Sequence, residues 1–188
     1  MSTLTQIEQR YPIQNSWCAR DALMIVAASL LISLCAPIAI PLPFTPVPLA
    51  IQAQVCLFFG VLLGSKRIAL AVMGFLLQGA CGLPVFAKGA TGLAYLFGPT
   101  GGYLLGYLLG AFITGYLVEK KTGERTMRSV FLAMAAGNLV IFVLGWLQLS
   151  RFIGMNSAVI LGVLPFLLGD FLKLCFAGRF LKTLKICR

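Results

Sequence analysis

The chain has 188 residues, of which 60% are hydrophobic and 11% charged, with a mean hydropathy of +0.96. A soluble domain carries about 25% charged residues to cover its surface, so lipid is the expected solvent, and residues 1–188 are expected to form a single membrane domain. The formal net charge of +10 sits in short clusters between apolar stretches. That pattern orients a chain in a membrane and attracts anionic lipid; it is not the footprint of a nucleic-acid surface.

The first 17 residues, MSTLTQIEQRYPIQNSW, are too polar for the apolar core of a cleaved signal. Residues 1–20 are therefore expected to form a cytoplasmic segment, with the first apolar run kept as a helix. Six apolar segments follow, at about 22–36, 49–64, 68–81, 102–118, 129–149 and 157–178. The second and third fall short of the ~20 residues of a straight span. Ser65, Lys66 and Arg67 between them would be costly at mid-bilayer, so they are read as a tight cytoplasmic hairpin.

With the N-terminus inside, the cytoplasmic segments hold Arg10, Arg20, Lys66, Arg67, Lys120, Lys121, Arg125, Arg128, Arg179, Lys182, Lys185 and Arg188. The outer loops hold only Lys88 and Arg151. This asymmetry predicts an all-α bundle of six transmembrane helices with both termini cytoplasmic. Two outer loops are unusually apolar and rich in glycine and proline: IPLPFTPVP after the first segment and CGLPVFAKGATGLAYLFGPTGGY after the third. Irregular backbone at membrane depth persists where it is buried or lines a cavity, so these loops are expected to fold inward over an outward-facing pocket.

Asp170 and Lys173, three residues apart in LPFLLGDFLKLCFAG, share one face of the expected sixth helix. An acid within an apolar span marks a binding site or substrate path; the alternative is a structural ion pair. Asp170 would accept from a ligand carrying adjacent N–H donors, while Lys173 would hold it ionised or donate to a ligand oxygen. Gln52, Gln54, Gln78, Thr114, Asn138 and Gln148 also interrupt apolar runs. Each has two uses, bridging helices or meeting a ligand. Gln52, just after the proline-rich loop, is the strongest candidate for the second.

GPTGGY (98–103) does not carry the GxxxxGK(S/T) pattern of a nucleotide P-loop. Its glycines, Gly101 among them, suit close backbone approach, as does Gly89. Phe86, Tyr95, Phe97 and Tyr103 offer apolar walls or interfacial anchors, and Lys88 offers a cation at the mouth or a solvated loop lysine. Small residues Ala28, Ser29, Ser33 and Ala36 on the first segment suit close helix packing, internal or against a partner. The six cysteines show no paired spacing, and histidine is absent, which leaves little for metal ligation. No cofactor is expected.

The segments IPLPFTPVPLAIQ (40–52), GLPVFAKGATG (82–92), LFGPTGGYLLGYLLGAF (96–112) and GVLPFLLGDFLK (162–173) together resemble the BioY family, the biotin-specific S-components of energy-coupling factor (ECF) transporters. The resemblance implies a six-helix subunit of the bacterial plasma membrane that binds biotin from outside. It further implies that Asp170 and Lys173 belong to the site, and that an EcfT scaffold subunit and two ATP-hydrolysing subunits are partners. The helix-1 motif of S-components is often AxxxA; here Ser29 and Ser33 stand in its place, as the candidate docking pair.

Biotin's ureido donors suit Asp170, its apolar body the aromatic residues, and its carboxylate Lys88 or Lys173. The rivals are an S-component for another vitamin, a small membrane enzyme and a purely structural membrane subunit. An enzyme needs a poised nucleophile or base with an orienting partner, and no such arrangement is visible.

Overall fold

The structure, a computed structural model, describes residues 19–35, 38–40, 43, 45–121 and 126–166. Helix α1 (Ala19–Cys35) leads into a minimal antiparallel ribbon, β1 (Ala39–Ile40) with β2 (Leu49–Ala50), in which Ala39 faces Ala50. Helices α2 (Gln52–Leu63) and α3 (Ser65–Ala80) follow, then a 3-10 turn (Ala87–Gly89) and the short α4 (Leu93–Phe97). The chain continues through α5 (Gly101–Lys120), α6 (Met127–Ile153) and α7 (Met155–Gly162). The architecture is helical as expected, with the two-residue ribbon as an addition. The sixth predicted segment is seen as far as Phe166.

Of these, α5 and α6 are long and apolar enough to cross a membrane. Helix α2, at 12 residues, is about 18 Å long and well short of a ~30 Å hydrocarbon core. The shortness expected of the second segment is thus real, and the ribbon continues the chain beyond it. Residues 65–67 open the first turn of α3 and do not form a loop. Gly64 alone makes the reversal, with φ +81°, a conformation that L side chains resist.

The tightest packing is between α5 and α6. Gly102, Gly106 and Gly110 recur every four residues along α5. A Cβ on Gly106 would sit 2.8 Å from the Ile141 Cα, and one on Gly110 would sit 2.6 Å from the Gly137 carbonyl oxygen. Small residues let backbones approach this closely, which is how helices gain contact in lipid. Below the stripe, Thr114 Oγ1 donates to Gly110 O (2.9 Å) or Ala133 O (3.2 Å). Gln54 Nε2 donates to Asn138 Oδ1 at 3.4 Å, bridging α2 to α6.

Helix α1 packs along α3, and its small residues face inward. Ser29 and Ser33 are buried, Gln78 Nε2 donates to Ser29 Oγ (2.9 Å), and Ser33 Oγ lies 3.0 Å from Gln78 Oε1. The docking role expected of this pair is therefore corrected to internal packing, because Gln78 and Gly74 of α3 occupy that face. The outward face of α1 carries Leu23, Val26, Leu30 and Leu34, all more than half exposed. With Leu77 of α3, Leu132 and Leu139 of α6 and Ile160 of α7, they make an apolar belt too broad for a soluble monomer.

Charge separates the two ends. Arg20, Lys66, Arg67, Lys120, Lys121 and Arg128 mark the end where Arg67 Nη2 pairs with Asp21 Oδ1 at 3.0 Å and Ser65 N donates to Glu119 Oε1 at 3.0 Å. Among the described residues, the opposite end has only Lys88 and Arg151 as cations.

Candidate functional site

The cation-poor end is built from the two apolar loops, and described residues of both, within 46–48 and 87–100, border a cavity. In the first, Thr45 Oγ1 accepts from Val47 N at 3.2 Å, a local turn that tucks Val47 into the core and leaves Pro46 and Pro48 facing a cavity. In the second, Phe86 N donates to Ala90 O (3.1 Å) and Gly89 N to Phe86 O (3.0 Å), closing a tight turn with Lys88 at its apex. Lys88 adopts φ +60°, the only non-glycine residue with positive φ among the described residues. That conformation costs about 1–2 kcal/mol and presents the ammonium at the rim, where it is exposed. Gly89, at φ +73°, completes the turn without lining the cavity.

The loops enclose an outer compartment of about 540 Å³, lined by Pro46, Pro48, Ala87, Lys88, Tyr95 and Thr100 with their neighbours. This lies within the range of small-molecule sites. Past Pro48, Tyr95 and Thr100 it narrows to an inner recess of about 20 Å³, walled by Val47, Gln52, Tyr103, Leu104 and Tyr107. A second recess of about 30 Å³ lies beside it, reaching Ile141, Phe142 and Phe166. Each inner recess has room for about one water.

Gln52 is the polar feature of the inner recess. It opens α2, is 1% exposed, and its Nε2 has no hydrogen-bond partner among the described residues. A buried, unpaired amide donor costs about 1–3 kcal/mol, so its position asks for an acceptor. Tyr103 makes the opposite wall. Its ring lies over Gly145, where any Cβ would overlap it, and its hydroxyl donates to Gly162 O at 2.7 Å, tying α5 to α7.

Phe86 departs from its expected role as a wall. It is fully buried, packs over Gly79, meets Phe75 edge-on at 5.6 Å and stacks on Tyr95 at 5.2 Å. Only Tyr95 of the pair reaches the cavity, so Phe86 supports the wall from behind. Phe97 is 77% exposed and points away. Gly101 is also not a lining residue: its bare Cα faces the Leu96 carbonyl oxygen and Gln148, and any side chain there would collide with both.

Asp170 and Lys173 lie outside the described residues. The described chain ends at Phe166, which lines an inner recess four residues earlier in the sequence. Sequence reasoning missed Tyr107, Thr100 and Phe142. For Tyr107 a signal was present: Tyr103 and Tyr107 flank the Gly102 and Gly106 stripe at the same four-residue spacing, which puts both on one face of α5.

The arrangement has an aromatic and apolar wall, a cation at the mouth and an amide donor at depth. It suits a small amphipathic molecule with an anionic end and a buried acceptor. No metal-ligating cluster occurs among the described residues.

Comparison with known proteins gives a consistent answer. The sequence model of the BioY family matches residues 5–187. The chain is 41% identical over 128 residues to a protein of Pyrococcus horikoshii named "Probable biotin transporter BioY", covering 68% of this chain and 74% of that one. It is 38% identical over 148 residues to the "Biotin transporter BioY" of Thermotoga maritima, covering 78% and 85%. Its fold matches a crystal structure of "the S-component for biotin from an ECF-type ABC transporter" with a TM-score of 0.77 and 23% identity, over 98% of this chain and 94% of that one. The chain belongs to the BioY family.

Proposed function

We propose that this chain is a biotin-binding membrane subunit that mediates biotin uptake as the substrate-specificity component of an ECF-type transporter. The observation that carries this reading is the loop-covered cavity with the unpartnered amide of Gln52 at its depth. The names of the relatives from P. horikoshii and T. maritima and of the structurally similar S-component support biotin as the ligand. They also support a transporter over an enzyme, with biotin as cargo.

In this reading the chain crosses the plasma membrane six times, with the Lys- and Arg-rich end and both termini in the cytoplasm. Biotin enters from outside through the 540 Å³ compartment. Lys88 attracts the carboxylate and Tyr95 flanks the apolar bicycle in the outer compartment; the one-water inner recess widens as the ligand seats, so that the ureido carbonyl passes between Tyr103 and Tyr107 and accepts from Gln52 Nε2. Asp170 accepts from the ureido N–H groups, and Lys173 keeps Asp170 ionised. No nucleotide-binding motif is present in the sequence, so the energy comes from a partner or a gradient; the likeness to an S-component of an ECF-type ABC transporter supports an EcfT-type scaffold and two ATP-binding subunits as the partners.

Radiolabelled biotin and the purified chain test the central claim. Saturable binding is expected, and none at micromolar ligand would overturn it. Asp170→Asn should insert normally and lose most binding; unchanged uptake in that variant would favour a structural subunit. Co-purification with scaffold and ATPase subunits tests the partner assignment, and biotin uptake by this chain alone in a host without them would refute their necessity.

A further inference from the structure

The wall of the outer compartment formed by residues 93–100 packs inward through Tyr95, stacked on Phe86, and Leu96, and its remaining hold on the bundle is polar. Helix α4 is five residues long, and Leu93 and Phe97 face outward, at 59% and 77% exposure. A helix that short leaves its last carbonyls without intrahelical partners. Two carbonyls at this end are met by one side chain from α6. Gln148 Nε2 donates to Leu96 O at 3.1 Å and to Gly98 O at 2.6 Å.

A primary amide has two N–H donors, and both are engaged here on one segment. Gly98 O also accepts from Gly101 N at 3.1 Å, so the same carbonyl joins the wall to the first residue of α5. The missing side chain of Gly101 is part of this arrangement, since a Cβ there would displace the Leu96 carbonyl and crowd Gln148. Gln148 does not line the cavity, whereas Ala94, Tyr95, Gly98, Pro99 and Thr100 do.

We infer that Gln148 is a positioning residue: through Leu96 and Gly98 it latches the 93–100 wall to α6 and sets how long a bound ligand stays. The inference rests on the reading of this cavity as the biotin site. Its effect falls on release more than on capture, because the open mouth at Lys88 is untouched by it.

The test compares wild type with Gln148→Met, which keeps the shape and removes both donors, and Gln148→Glu, which aims a carboxylate at two carbonyl oxygens. Gly101→Ala attacks the same contact from the other side. All are measured as full-length protein in lipid nanodiscs, by radiolabelled-biotin association and dissociation and by hydrogen exchange of the 93–101 amides. Dissociation should quicken roughly tenfold in Gln148→Met and further in Gln148→Glu. Association should stay within about twofold, since related interfaces differ mainly in release.

Exchange at Gly98 and Gly101 should rise in the same order, with α6 amides unchanged. Wild-type dissociation rates in variants that still bind would overturn the latch, and so would unchanged exchange. If wild type itself binds no biotin, the functional reading falls and the exchange measurement decides the latch alone.

Discussion

Phe86 and Tyr95 stack with ring centroids 5.2 Å apart and planes 15° from parallel, and only Tyr95 touches the cavity. The pair makes a fully buried phenylalanine responsible for the posture of a binding-wall tyrosine. Phe86→Ala should remove the support and leave a hole over Gly79, at a cost on the order of 3 kcal/mol in local stability. Biotin affinity should fall at least tenfold although Phe86 does not line the site. Phe86→Leu, which refills much of the space, should recover most of it. Isothermal titration of both variants checks the order.

The α5–α6 seam predicts a contrast between two glycines. At Gly106 a methyl group would meet the Ile141 backbone at 2.8 Å, so Gly106→Ala must push two helices apart, for about 1–3 kcal/mol. At Gly154 a methyl group would have nothing within 4 Å, but φ is +82°. Gly154→Ala therefore meets only backbone strain, about 1 kcal/mol. Thermal unfolding in detergent should rank Gly106→Ala below Gly154→Ala. Gly106→Val should worsen the first effect steeply.

The helices and the cavity-bordering loops were legible because apolar run length, proline and glycine clusters and the lysine–arginine asymmetry each report directly on the bilayer. Side-chain direction was not. Ser29 and Ser33 read equally well as an outward docking stripe or an inward seam, and only the facing Gln78 decides between them. Phe86 and Tyr95 look alike as loop aromatics. Which one is buried depends on the gap at Gly79, seven residues before Phe86. The Gly102–Gly106–Gly110 repeat was visible in the sequence, but its partner helix is a tertiary fact.

Glu119 supplies a capping group in trans at the basic end. Ser65 N donates to Glu119 Oε1 at 3.0 Å, and Ser65 Oγ donates to Oε2, so α5 satisfies the N-terminus of α3. Glu119→Ala should cost about 1.5–2 kcal/mol, the low end for hydrogen bonds to a charged acceptor because Glu119 is exposed. The neighbouring Asp21–Arg67 pair, with Arg67 43% exposed, should be worth at most about 1 kcal/mol. Chemical unfolding of Glu119→Ala and Asp21→Asn tests the ranking, and equal losses would contradict it.

Gln52 yields the prediction that best separates binding from structure. Its Nε2 is buried without a partner among the described residues, beside a recess with room for about one water, so a ligand acceptor reaching it makes a hydrogen bond that no described residue supplies. Gln52→Met keeps the length of the side chain and removes the donor. The ligand-free protein should then keep its stability to within about 1 kcal/mol, while biotin affinity falls by roughly ten- to a hundredfold as the ureido oxygen loses its donor. A residue that served only to bridge helices would behave differently: stability would fall, and binding would follow only as far as the fold was weakened. Thermal unfolding without ligand and titration with biotin, on the same preparation, therefore separate the two roles by whether affinity falls without a matching loss of stability.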